Sequence, residues 1–263
     1  MLSCRANLTM ASTESLYIGI DPTSGDKEFS YAALDGNLSL VKLAEAEMED
    51  LVAFLDDQGS AIVAVNAPGQ VNCGLARQKL SEKRSSERGR FRGADIRLAE
   101  LELRERGITI TGTPSREEFC PAWMQVGFAL YQRLSEMGFK TRLEDNNQRT
   151  VLETHPYACF CALVEKAPFP KPTLEGRLQR QSILYGKGLR ITDAMEFFEE
   201  ITRFKLMKGI LPTDILYTPD QLDVLVAAYT AWLVKNRPEE ITRVGDESEG
   251  QITLPISELQ EKY

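Results

Sequence analysis

The sequence predicts an α/β domain on a mixed five-stranded sheet, a three-strand meander and then two parallel strands, flanked by helices and carrying a helical insertion at about 70–147. Three observations predict it. Short strand-like runs joined by turns open the chain, at 15–20 (SLYIGI), 27–34 (KEFSYAAL) and 38–43 (LSLVKL), with Asp35-Gly36-Asn37 as a hairpin signal between the last two. The period then changes, because Met48, Leu51, Val52 and Leu55 share one helical face, with Gly59 as a stop. A continuously apolar run at 60–65, SAIVAV, follows and reads as a strand covered on both faces. A helical crossover from the third strand sets this fourth one beside the first and parallel to it.

The remaining elements follow in order. Within the insertion, ITITG at 108–112 is the one strand candidate. Residues 116–138 read as a helix, with Phe119, Trp123, Val126, Leu130, Leu134 and Met137 at three- and four-residue spacing, which assigns Trp123 to the core. RTVLE at 149–153 is the fifth strand, helices follow at about 173–187, 193–207 and 219–235, and 241–255 reads as a closing hairpin. No repeat or Pro/Ser linker divides the chain, so 15–263 is one domain and 1–14 a loose tail.

Composition bounds the function. With 43% apolar and 27% charged residues the chain has an ordinary globular balance. No window approaches the roughly 18 uninterrupted apolar residues of a membrane helix, and the N-terminus lacks a secretory apolar stretch, so a cytoplasmic protein without a membrane partner is expected. Five cysteines without C-x-x-C spacing read as free thiols, and a single histidine, His155, disfavours a zinc set. A net charge of −8 argues against an indiscriminate nucleic-acid binder. Two basic islands nevertheless stand out: 77–92 holds seven Arg/Lys, Arg90 and Arg92 among them, against two Glu, and 166–190 holds six against Glu175. Such islands on an acidic protein suit phosphate groups.

The chemistry gathers at strand ends. The first strand ends in Asp21, the fourth in Asn66 and the fifth in Glu153. Parallel strands bring such ends to one sheet edge, where ligands of these sheets bind. In TPDQLDVLVAAYTAWL (218–233), Thr218, Pro219 and Gln221 make a helix start, and Asp220 fits its first turn. Asp223 lies among apolar neighbours, on nearly the same face as Asp220, and a carboxylate so placed needs a cation, a proton or hydrogen bonds. Converging carboxylates without a histidine cluster point to Mg²⁺ or Mn²⁺, and a pair of such ions serves phosphodiester displacement. His155, two residues beyond Glu153, is a candidate proton shuttle.

This arrangement resembles the ribonuclease H fold. The finer resemblance is to family 429 of the domains of unknown function, often described as predicted ribonuclease-H-like nucleases. It is carried by GIDPTSG (19–25), AVNAPG (64–69), ETHPYACF (153–160), PKPTLEGRLQRQSIL (170–184) and DQLDVLVAAYTA (220–231), in this order across about 15–235. The resemblance implies a Mg²⁺- or Mn²⁺-dependent nuclease that cleaves phosphodiesters with activated water, acting on nucleic acid. It makes Asp21, Glu153 and Asp223 the acidic positions, Asp220 a fourth, and Lys171, Arg177 and Arg180 the basic helix. Asn66 departs from it, since the family usually places Asp there; an amide is a neutral ligand and cannot act as a base. That departure supports an alternative, a catalytically attenuated nucleic-acid or nucleotide-binding module on the same fold. An actin- or sugar-kinase-like phosphotransferase is the third class, with the short chain and the lack of a second phosphate loop against it.

Overall fold

The computed structural model describes residues 15–22, 29–83, 95–141 and 148–263. Strands β1 (Leu16–Asp21), β2 (Phe29–Leu34) and β3 (Leu40–Ala46) form the expected antiparallel meander. Asp35 closes the turn between β2 and β3, its Oδ1 accepting from the amides of Asn37 and Ser39, each at 2.8 Å. Helix α1 (Met48–Asp56) crosses over and β4 (Ala61–Val65) returns parallel to β1. The insertion supplies α2 (Leu75–Lys83), α3 (Leu98–Glu105) and α4 (Ala122–Glu136), and β5 (Arg149–Thr154) then pairs parallel with β4. Next come α5 (Pro156–Val164), α6 (Leu174–Gly186), α7 (Glu196–Glu199), α8 (Arg203–Met207) and α9 (Pro219–Asn236), and the hairpin of β6 (Thr242–Asp246) and β7 (Gly250–Leu254).

Among the described residues the sheet has seven strands rather than five, in the order β3-β2-β1-β4-β5-β7-β6. The closing hairpin is legible locally, but its docking is not: β7 pairs parallel with β5 through Glu153 and Thr154, and so covers an edge that β5 would otherwise leave open. Three other expectations change. The ITITG segment is no strand, since the Arg104 guanidinium donates to the Ile110 carbonyl at 2.7 and 3.0 Å, where a neighbouring strand would otherwise pair. The helix expected from 116 begins at Ala122 after Pro121, leaving Phe119 exposed on a separate 3₁₀ turn; Trp123 is half-buried against the core rather than inside it. The helix expected over 193–207 is two, because Thr202 caps α8, its hydroxyl accepting from the Lys205 amide at 3.1 Å. No helix among the described residues is long and apolar enough to cross a membrane.

Helix α9 places the site. Its residues Leu222 to Val234 are all buried, and it lies against β1, β2 and β4. The contact is close because β1 carries Gly19: a Cβ there would meet the Val224 carbonyl oxygen at 2.0 Å and the Ala228 nitrogen at 2.5 Å. On the opposite face, Leu51 and Leu55 of α1 and Leu130 and Leu134 of α4 pack on Ile18, Ile20, Val63, Val65 and Val151. Alternation along β1 therefore sends Ile18 and Ile20 one way and Tyr17, Gly19 and Asp21 toward α9.

Candidate functional site

Asp21 extends the Gly19 face by one strand step, and Asp220 and Asp223 stand one turn before the α9 residues that Gly19 touches. The three side chains meet: one carboxylate oxygen from each lies within 4.8 Å of the others. Local sequence arranges the helix side of this, since Thr218 accepts from the Gln221 amide at 3.2 Å while the Gln221 side chain accepts from the Thr218 amide at 2.9 Å. With Pro219 at the first helical position, the start of α9 is set, and with it the two aspartates.

Asn66 follows β4 in register with Asp21, its amide N–H donating to the Ile20 carbonyl at 2.8 Å. Its side-chain Nδ2 donates to Asp21 Oδ1 at 2.9 Å, so the amide meets Asp21 with its nitrogen rather than its carbonyl oxygen. Lys171, expected among phosphate contacts, instead lies on the cluster. Its Nζ donates to Asp223 Oδ2 at 2.5 Å and Asp220 Oδ1 at 3.0 Å. The chain turns tightly to deliver it, as Gly176 of α6 allows: a Cβ there would sit 2.0 Å from the Pro170 oxygen.

The electrostatics follow from burial. Asp21 is raised to about 7, by burial first and Asp223 second, with the Asn66 hydrogen bond and Lys171 pulling down. Burial likewise pushes Asp223 above the ordinary carboxylate range, against the pull of Lys171. Burial works against the Lys171 charge, but the two aspartates outweigh it and keep the ammonium charged. Three carboxylates and one ammonium leave two formal negative charges, the complement of one divalent cation. All donors in the cluster are hard oxygens, which suits Mg²⁺ or Mn²⁺.

Glu153 stands elsewhere. It is paired with Val65, and Val65 with Ile20, so it falls one residue out of step with Asn66 and Asp21. One step is a change of face, and Thr154 takes the place in line with Asp21. The structure thereby corrects the expectation that Glu153 joins the aspartates. Its carboxylate accepts from Arg97 Nη1 at 2.8 Å, pairs with Nη2, and is reached by the Gly69 amide at 3.4 Å. Arg97 is 1% exposed and also donates from Nε to Glu100 Oε1 at 2.9 Å. Burial pushes Glu153 up while the Arg97 guanidinium pulls it down. Buried Glu249 accepts from the amides of Cys73, Gly74 and Leu98, at 2.6, 3.1 and 2.7 Å, and pins α3 to the loop after β4.

Sequence reasoning missed Arg97, Glu100 and Glu249. Arg97 had the signal that singled out Asp223, a charge between apolar neighbours (Ile96 and Leu98). Glu249 had none, since its run DESEGQ is polar throughout. His155 caps α5, its Nδ1 accepting from the Ala158 amide at 3.3 Å, and burial lowers it to about 4. It is therefore neutral near pH 7 and poorly matched to proton transfer there. With Asn66, Arg97, Trp123 and Glu153 it lines a cavity of about 20 Å³, room for one water.

The second basic island turns inward. Arg180 is buried, donating to the carbonyls of Phe169 and Gly176 at 2.8 and 3.0 Å with its guanidinium 5.1 Å from the Phe160 ring centre. Arg177 donates to the carbonyls of Thr213, Leu216 and Tyr217. Arg177 thereby braces α6 against the segment that enters α9, while Arg180 ties α6 to the loop just before Lys171. Arg90 and Arg92 of the first island lie outside the described residues.

Fold and site together define a mixed α/β protein with an aspartate triad at the carboxyl ends of its parallel strands. The chain belongs to the family described as "Protein of unknown function (DUF429)", whose model matches residues 19–249. No curated protein and no solved structure matches it.

Proposed function

We propose that the protein is a ribonuclease-H-like, divalent-metal-dependent nuclease whose metal ligands are Asp21, Asp220 and Asp223. The observation that supports this best is the triad itself: three carboxylates, two of them buried, drawn within 4.8 Å with one lysine to offset them. When bound, Mg²⁺ or Mn²⁺ supplies Lewis acidity at a phosphodiester and acidifies the attacking water. The chain's own part is to hold the ion and set the charge around it. Lys171, half-exposed at the rim of the triad, places the nearest cation for a substrate phosphate. Asn66 orients Asp21 and favours its ionised form.

A second reading has its own support. Lys171 already pairs with two of the aspartates and Asn66 replaces a charged ligand, as expected of an attenuated module that binds nucleic acid or nucleotide without cutting it. A calorimetric Mn²⁺ titration, followed by gel assays on single- and double-stranded DNA and RNA, separates the two. The nuclease reading expects binding and cleavage by the wild type, both lost in Asp223→Asn. Binding without cleavage, with cleavage gained in Asn66→Asp, supports the attenuated module. No Mn²⁺ binding and no cleavage, with or without nucleic acid, sinks the metal assignment.

A further inference from the structure

Away from the triad, the face formed by the end of α6, α7 and α8 is built unlike the rest of the surface. Of the eleven large apolar side chains exposed among the described residues, eight lie between Tyr185 and Leu211. Phe204 and Met207, on α8, are 68% and 79% exposed. A groove of about 810 Å³ runs through this face, with Tyr185, Met195, Ile210 and Leu211 among its apolar lining. Asp193, Glu196, Glu199, Glu200 and Asp214 line it too, against one cation, Lys205, which Glu200 engages at 2.9 Å. Apolar patches of this kind, bordered by charge, mark interaction sites.

We propose that this groove is a docking site for a basic amphipathic helix of a partner protein. An apolar floor flanked by carboxylates complements a helix with an apolar stripe and lysines or arginines beside it. The exposed thioether of Met195 in the groove adapts to such a stripe. The same charge disfavours the other occupants. A second copy would set five carboxylates against five across a two-fold axis, and an anionic lipid or nucleic acid seated in the groove would face those five carboxylates against one lysine. The site is separate from the triad and does not depend on the nuclease reading.

The test is fluorescence anisotropy on the full chain. The probe is a fluorescein-labelled Leu/Lys peptide patterned at helical spacing, beside a peptide of the same composition with the pattern scrambled. The docking site predicts that the patterned peptide binds at least about tenfold more tightly than the scrambled one. Met195→Ser with Ile210→Ser, both at exposed positions, should weaken it by a similar factor, as should Glu196→Lys with Glu199→Lys. Glu117→Lys with Glu118→Lys, an equal charge change on an exposed 3₁₀ turn outside the groove, should leave binding within about twofold, the range of small surface effects. Equal loss in both charge variants would reduce the effect to net charge and overturn the site, as would equal binding of the two peptides. Wild-type dimers dissolved by the serine substitutions would assign the groove to a second copy and overturn it too.

Discussion

With its carboxyl raised to about 7, Asp21 titrates where metal affinity is usually measured. An ion must displace that proton, so affinity should fall about tenfold per pH unit below 7 and flatten above it; calorimetry at pH 6, 7 and 8 reads this directly. The metal-free protein should show the opposite trend in stability. A carboxyl raised in the folded state contributes stability that is full below about 3.8 and lost as pH rises through about 7. Asp21→Asn should remove that slope and exceed the wild type at pH 8 by up to about 4 kcal/mol, a ceiling read from urea melts without metal. Arg97 behaves differently. Arg97→Met leaves Glu153 and Glu100 as buried anions without their cation, which should cost about 3–5 kcal/mol. Adding Glu153→Gln should recover part of that loss in the same denaturant assay, as a coupled pair must.

Among the elements, α9 brings two of the three aspartates and depends on one glycine to do so. Gly19→Ala would drive a methyl into the α9 backbone at Val224, and neither backbone can yield without shifting the other. Loss of about 3 kcal/mol or more is expected, together with weakened Mn²⁺ binding, because Asp220 and Asp223 move with the helix. An alanine variant of unchanged stability and affinity would show that α9 does not set the triad. The strands carry the same lesson. The existence and ends of β1 to β5 are visible in period and turn residues, and Asp21, Asp220 and Asp223 stand out by a strand end, a capped helix start and apolar neighbours. Glu153 is misplaced by sequence alone because a strand's period shows which residues share a face but not which face is shared with the neighbouring strand. That needs the register, and one residue of register separates Glu153 from Asp21.

Across the described residues one sheet carries the triad at one end of its parallel strands, so the folded state alone brings the three carboxylates together. Binding of Mn²⁺ should therefore stabilise the protein by about 2.7 kcal/mol at a hundredfold excess over Kd, a rise in Tm of roughly 5 °C or more for a chain of this size. EDTA should reverse it, and Asp223→Asn should abolish it. An unchanged melting curve under saturating Mn²⁺ would contradict the assignment.

The division between local and global information has one physical source. Helix starts, turn residues, apolar periods and a charge set among apolar neighbours are short-range, and they suffice for the meander, the crossover, the capped α9 and its two aspartates. Pairing across distant segments is settled by packing and hydrogen-bond satisfaction. Only the folded chain shows that β7 and β6 extend the sheet to seven strands. It alone shows that Arg97 claims Glu153 from 56 residues away. And it turns Lys171 to the aspartates and Arg180 inward to backbone carbonyls, because a buried charge takes whatever partner the tertiary structure brings within reach.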